Sequence, residues 1–459
     1  MTQTARAAMA EERSDTTGDD QTSAWRRPTR GFVIGLAVIA AIALAIRIWW
    51  VLVGYGNYKI GGDSYYYHLT GWSLADGHGF INPLDYYLHG GKITPSAANP
   101  PLYGSYLGLV SILGGWSVTA HRLASTLLGT GAVVAIGIVG RQIANERTGL
   151  IAAAIAAVYA NLWINDGMLL PEPMAALTMV LVLVAAYAFW KRPRWGTAIW
   201  LGLALGAAAL SRGEVVFLAP LLTLPLVWGM RQLSWRRRIE FLATAAAAMI
   251  VLVGPWVGYN LSRFKDPVFM TDHWGTVLEN ASCHDTYFGQ FRGWYQLCDL
   301  RHYPGDASQE DTVLRKEALR YMRAHLGALP GVMGARVGRL WDVYKPSQTL
   351  FLNAVLEGRT KKASRLAVWQ YYVLMPPAIA GLIVLRRRRV PIMPLIAPAI
   401  VVTIAAALTY GVLRYRVTVE PSIVLAAAVS IDVVWTSMSN RRRARRSGAS
   451  DAKSPVASA

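Results

Sequence analysis

The chain reads as an all-α, polytopic bundle of about ten transmembrane helices, with amphipathic helices in the first external loop and a small extracytoplasmic subdomain. Three observations predict this. Of its 459 residues 54% are hydrophobic and only 16% charged, where soluble domains carry about a quarter. Apolar runs of about 17 to 25 residues, the length a helix needs to cross a bilayer, recur along the chain. Arginine clusters punctuate those runs at short intervals. The net charge of +19 therefore belongs to the positive-inside pattern of a membrane protein and not to a nucleic-acid binder.

The elements follow in order. Residues 1 to 30 are rich in Ser, Thr, Asp, Glu and Ala without apolar periodicity, and read as a disordered cytoplasmic tail. Arg26, Arg27 and Arg30 precede "GFVIGLAVIAAIALAIRIWWVLV". That run is too long for a signal-peptide core and is read as an uncleaved first span. The next basic clusters are Arg141 with Arg147; Lys191, Arg192 and Arg194; Arg231 with Arg236 to Arg238; Arg386 to Arg389; and Arg441 to Arg446, interrupted by Ala444. Making each cytoplasmic gives spans at 31–53, 119–140, 149–165, 173–190, 196–211, 215–230, 241–257, 366–385, 390–409 and 421–437, with both termini inside. "PLYGSYLGLVSILGG", residues 101 to 115, is too short and glycine-rich to span, and is laid on the external face.

This parity divides the chain into a membrane module at 31–257 containing the first external loop 54–118, an external loop subdomain at 258–365, C-terminal membrane helices at 366–437 and a basic cytoplasmic tail at 438–459. "SQED" at 308–311 reads as a capping-box variant before the helical stretch "TVLRKEALRYMRAHL". The only two cysteines, Cys283 and Cys298, both fall in the long external loop and are expected to be bridged in an oxidising compartment.

The charges that break the pattern carry the chemistry. The short external loops should be poor in arginine, yet they hold Arg212 in "LSRGE" and Arg414 and Arg416 in "YGVLRYRVTVEP". Asp166 and Glu172 lie in "NDGMLLPEPM", and Arg47 sits near the outer end of the first span. "YKIGGDSYYYHLTGWSLADGHGF", residues 58 to 80, sets Asp63 behind two glycines and before three tyrosines. Each arginine taken alone could snorkel to the interface. Three arginines facing three carboxylates at one membrane face instead suit a phosphate group, because the guanidinium fork is planar and permanently charged. A surface carboxylate can serve as general base toward an acceptor hydroxyl.

The chain resembles the C-type membrane glycosyltransferases, specifically bacterial members related to protein O-mannosyltransferases and aminoarabinose transferases. The matching stretches are "GGDSYYYHLTGWSLADGHGF", "NPPLYGSYLGLVSILGG", "RLASTLLGTGAVVAIGIVGRQIANERTGLIAAAIAAV", "LLPEP", "GLALGAAALSRGE", "PWVGYNLSRFKDPVF" and "YGVLRYRVTVEP", in family order. The resemblance implies a catalytic acid at Asp63. It also implies transfer of a sugar from a polyprenyl-phosphate donor to an acceptor hydroxyl on a protein, lipid or wall polysaccharide, with inversion, at the extracytoplasmic face of a bacterial plasma membrane. Relatives often carry two adjacent acids where this chain has Asp63-Ser64, so Glu172 or Asp166 is the expected second acid; Asp76, in "LADGHGF", reads more like a turn residue. Arg212, Arg414 and Arg416 would stabilise the leaving phosphate. No Gly-rich phosphate loop, no cofactor and no metal cluster is evident; His68, His78 and His89 lack ligand spacing, and a divalent cation at Asp63 and Glu172 stays open. Two other readings stand beside this one: a transporter or flippase for lipid-linked glycans, and a non-catalytic scaffold that binds such glycans through 258–365. Asp63→Asn separates them, since only an enzyme loses turnover with its fold intact.

Overall fold

A computed structural model describes residues 27–451 except 57, 299, 300 and 302, with side chains described to residue 441. Most of the expected disordered tail lies outside the described residues, and most of the basic C-terminal tail outside the described side chains. Among the described residues the chain is helical, with one isolated bridge between Ile81 and Pro95 and no strand.

The apolar runs become helices where the sequence supplies caps. Thr29 accepts from Phe32 N and starts α1 (Arg30–Trp49), which runs on as a π-helical turn to Gly54. Three short helices follow, α2 (Asp63–Ala75), α3 (Pro83–Leu88) and α4 (Pro101–Ile112). Ser117 caps α5 (Val118–Ile143), and Asn145 caps α6 (Glu146–Val158). Then come α7 (Ala160–Trp163), α8 (Glu172–Lys191), α9 (Trp195–Ser211), α10 (Leu218–Trp228) and α11 (Trp235–Leu261). The long loop holds α12 (Trp274–Glu279), α13 (His284–Tyr287), α14 (Ala307–Ala324), α15 (Leu329–Leu340) and α16 (Pro346–Val355). The chain closes with α17 (Lys361–Arg387), α18 (Met393–Leu408) and α19 (Glu420–Asp451).

Among the described residues six helices are long and apolar enough to cross a membrane: α1 with its extension, α5, α8, α11, α17 and residues Glu420–Arg441 of α19. α6 and the segment Ala160–Gly167 form a pair bent by 62°, and α9, α10 with its preceding turn, and α18 are shorter apolar helices. All ten expected span positions fall on these helices. In sequence the third reads as one helix over 149–165. It breaks at Tyr159, whose backbone is extended, and Gln370 of α17 compensates: its Oε1 accepts from Ala160 N at 2.7 Å and its Nε2 donates to Val158 O at 3.1 Å. α4 is only 12 residues long and packs on α2, in keeping with an element that does not span.

Small residues let the long helices approach. A Cβ on Gly202 of α9 would fall 2.1 Å from Ala245 O of α11, so the crossing of these two helices requires glycine. At one end of the bundle Glu146 accepts from Thr29 N at 3.0 Å and from Arg141 Nε at 3.2 Å, while Arg147 pairs with Asp432 of α19. The basic clusters at Arg141 and Arg147 thus gather away from the loops that carry Asp63 and Arg414.

The long loop does not keep a core of its own. Leu340 of α15 shares a cluster with Tyr371, Val402 and Ile423 of the apolar helices, and Ala281, Trp294 and Leu352 pack with Tyr410 and Val412. Cys283 and Cys298 are joined in a disulfide. The cap of α14 lies two residues earlier than expected. Asp306 accepts from Ser308 N and Gln309 N, and Gln309 returns the bond, because an aspartate reaches two successive amides where Ser308 would not.

Candidate active site

Asp63 opens α2. Its predecessor Gly62 has φ +52 and ψ −132, backbone that only glycine adopts without strain, which explains the glycine before the acid. The helix N-terminus favours a carboxylate there. Ser64 Oγ donates to Met168 O at 2.5 Å and so ties this helix start to the stretch that leads into α8.

The charged groups that line one cavity of about 1430 Å³ with Asp63 include Glu172, Arg212, Glu214, Glu357 and Arg414, brought from distant parts of the chain. Arg414 Nη1 lies 2.8 Å from Asp63 Oδ2 and 3.3 Å from Glu357 Oε2. Arg212 Nη1 lies 3.1 Å from Glu172 Oε1, and its Nε 2.7 Å from Glu214 Oε1. The Arg212 guanidinium also stacks over Tyr415, 4.7 Å from the ring centroid. The cavity exceeds the ~300–1,000 Å³ of an ordinary small-molecule site and has room for two reactants.

The Asp63 side chain is 53% exposed, but into the cavity. Burial among the cavity walls pushes its carboxyl up, and Arg414 outweighs that, with help from His273 and Arg212, holding it below the ordinary aspartate value. Glu357, Asp63 and Glu172 overcome the burial of Arg414 and keep it protonated.

Two expected site residues lie elsewhere. Asp166 Oδ2 meets Arg47 Nε at 2.9 Å with both side chains fully buried, so this acid is committed to a pair between α1 and the broken span. Arg416 is buried too: Nη1 lies 2.9 Å from Asp342 Oδ2 and Nε 2.7 Å from Glu420 Oε1, with its guanidinium 3.7 Å from the Tyr371 ring centroid. The reason is local. Leu413–Thr418 is a 3₁₀ turn, and at about three residues per turn two positions separated by two point to different sides. Arg414 therefore faces the cavity and Arg416 the core. Asp76, the turn residue, caps the end of α2 and accepts from the Tyr87 hydroxyl at 2.6 Å.

Sequence reading missed Glu357, Glu214 and Tyr295. Glu214 was legible, because it follows Arg212 by two residues in a short polar interruption. Glu357 carried no local signal; it sits between α16 and α17 in a loop full of charges. Among the described residues no group of three or more His, Cys, Asp or Glu is arranged to hold a metal ion. Asp63 and Glu172, the pair left open for a divalent cation, are each engaged by an arginine and do not fit one as they stand.

Residues 98–259 match the family model for dolichyl-phosphate-mannose-protein mannosyltransferase. A search of the curated proteins finds no match. Among solved structures, the oligosaccharyltransferase AglB of Archaeoglobus fulgidus, in complex with an inhibitory peptide and a dolichol-phosphate, superposes with a TM-score of 0.57 at 16% identity, over 91% of this chain and 52% of that one. The A. fulgidus oligosaccharyltransferase tethered with an acceptor peptide containing the NVT sequon gives 0.56 at 16% identity, over 90% and 50%. ArnT from Cupriavidus metallidurans bound to undecaprenyl phosphate covers 88% of this chain and 78% of its own at 16% identity, with a TM-score of 0.41. The chain thus spans about half the length of the oligosaccharyltransferase whose membrane fold it shares.

Proposed function

We propose that the chain is a membrane glycosyltransferase that moves a sugar from a polyprenyl-phosphate donor to an acceptor hydroxyl. The observation that carries this reading is the 2.8 Å contact of Arg414 with Asp63 on the wall of one large cavity. A base candidate and a phosphate-binding guanidinium stand side by side at the ends of membrane helices. The family match over 98–259 and the fold shared with a lipid-phosphate-binding transferase support it. The transporter and scaffold readings gain nothing from either.

In the proposed step the acceptor hydroxyl gives its proton to Asp63 and its oxygen attacks the anomeric carbon. The bond from that carbon to the phosphate oxygen breaks on the opposite face, so the configuration inverts. The leaving polyprenyl monophosphate carries away the bonding pair, and Arg414 and Arg212 receive its growing charge. Glu172 orients Arg212 and is the second acid of the site; Asp166 and Arg416 serve the fold. The cavity opens to the extracytoplasmic face of a bacterial plasma membrane, with both termini cytoplasmic and 258–365 outside. The acceptor is a protein, lipid or wall polysaccharide that presents a hydroxyl there.

The test is to remove the protein from its cell and measure which polyprenyl-phosphate sugar accumulates. That compound should be turned over by the purified protein, releasing polyprenyl phosphate. No accumulation, together with no turnover across a panel of hexosyl and pentosyl polyprenyl phosphates, would overturn the reading.

A further inference from the structure

Arg414 is shared between two carboxylates, and they are held very differently. Asp63 stands half exposed in the cavity, while the Glu357 side chain is 5% exposed. Glu357 is fixed from both sides. Its Oε1 accepts from the Tyr295 hydroxyl at 2.7 Å. Tyr295 in turn stacks on Trp294 and packs 5.1 Å from Tyr410. The next residue, Gly358, has φ +70, and its carbonyl accepts from the Tyr55 hydroxyl at 2.5 Å. A guanidinium bound to Asp63 alone would quench it as a base, since each contact that favours the carboxylate makes it hold a proton less well. A second carboxylate anchored on the same Arg414 Nη1 offsets that pull.

We propose that Glu357 is a positioning residue that keeps Arg414 at the cavity wall and shares its charge, so that Asp63 is freed to accept a proton when the donor phosphate takes up the guanidinium. The proposal rests on the glycosyl-transfer reading and names a device within that site. The other groups around Asp63 are Tyr66 and Tyr67 of its own helix, Arg212 after α9, His273 before α12 and Tyr410 after α18. Glu172 also acts on Arg414 through its charge, but its ion pair is with Arg212, and Glu357 is the carboxylate that shares Arg414 with Asp63 in direct contact.

The charge argument separates binding from chemistry. In Glu357→Gln, Arg414 falls back on Asp63, and one negative charge beside the phosphate site is gone. Turnover should fall on the order of tenfold, part of the worth of a general base. The donor KM should fall several-fold in the same variant, because repulsion of the phosphate is relieved. The acid limb of kcat/KM should move to lower pH. Glu357→Asp keeps the charge and the fold but withdraws the carboxylate by one methylene, so kcat should drop with the donor KM nearly unchanged. A merely structural glutamate predicts that KM rises as kcat falls, or that neither moves.

The experiment is steady-state kinetics of purified wild type and both variants with a polyprenyl-phosphate sugar, alongside binding of undecaprenyl monophosphate in detergent. Tighter monophosphate binding with slower turnover in Glu357→Gln is the expected result. A raised KM, unchanged kinetics, or weaker monophosphate binding while the wild type turns over overturns the role of Glu357 and leaves glycosyl transfer standing. A wild type that neither turns over nor binds the monophosphate removes both.

Discussion

Arg416→Ala should unfold the protein rather than disable it. The arginine is buried between Asp342 and Glu420, donates also to Leu340 O at 3.1 Å, and lies against the Tyr371 ring. Glu420 is further bound by the Tyr159 hydroxyl at 2.6 Å, so the break after α6, together with α15, α17 and α19, meets at this one cation. Removing one partner of a buried pair costs about 3–5 kcal/mol, because the remaining charge is left uncompensated. Here two carboxylates lose the same partner, which argues for the upper end, about 5 kcal/mol. That is a large share of the ~5–15 kcal/mol that separates most folded proteins from unfolding. The assay is chaotrope or thermal unfolding in detergent, paired with donor binding and turnover per folded molecule. Arg414→Ala provides the contrast: of the two carboxylates it leaves, only Glu357 is buried while Asp63 is half exposed to the cavity, so stability should fall by less than in Arg416→Ala while turnover collapses. An Arg416→Ala protein as stable as wild type but unable to bind donor would refute this division between a structural and a functional arginine.

Three further outcomes are expected. Gly129→Ala should be strongly destabilising, since a Cβ there falls 2.6 Å from Arg47 Nε and 2.7 Å from Asp166 Oδ1 and would push apart a buried pair worth about 3 kcal/mol or more to break; thermal unfolding in detergent checks it. Replacing Cys283 and Cys298 by serine, which opens a bridge spanning 15 residues, should destabilise the surrounding loop by about 3 kcal/mol in the chain-entropy model, read as faster hydrogen exchange in α12 and α13 with the exchange of α5 and α8 unchanged. The pH profile should differ between free and loaded enzyme: Arg414 holds the Asp63 carboxyl down when the cavity is empty, so the acid limb of kcat/KM lies below the usual aspartate range, whereas the limb of kcat, with the donor phosphate on Arg414, lies at higher pH.

Much of the fold was legible because bilayer spanning leaves a strong mark. Length, apolarity and alternating arginine clusters located the apolar helices among the described residues, while the caps at Ser117 and Asn145 set boundaries that the apolar runs placed only within a few residues. The break at Tyr159 was not legible, because it is made tolerable by Gln370, a side chain far along the chain. The lining of the candidate site was half legible. Asp63, Glu172, Arg212 and Arg414 stood out as charges where a membrane protein should avoid them. The same signal drew in Asp166 and Arg416, which answer the cost of burial by pairing with Arg47, Asp342 and Glu420. Sequence order does not tell which of two neighbouring charges faces a cavity and which a partner; for Arg414 and Arg416 only the pitch of the turn decides it. Glu357 was invisible for the opposite reason, since an acid in a polar loop breaks no rule until the fold carries it to Arg414.

Asp63 carries the central claim, and one measurement reaches it most directly: donor binding and turnover of purified Asp63→Asn, per folded molecule, with a defined polyprenyl-phosphate sugar. The amide keeps the shape and a hydrogen-bonding oxygen toward Arg414 but cannot take a proton. Turnover should fall by roughly 10²–10⁴, the usual worth of a general base, while donor binding holds or tightens because Arg414 is released to the phosphate. Turnover equal to wild type would contradict the assignment of Asp63 as the base.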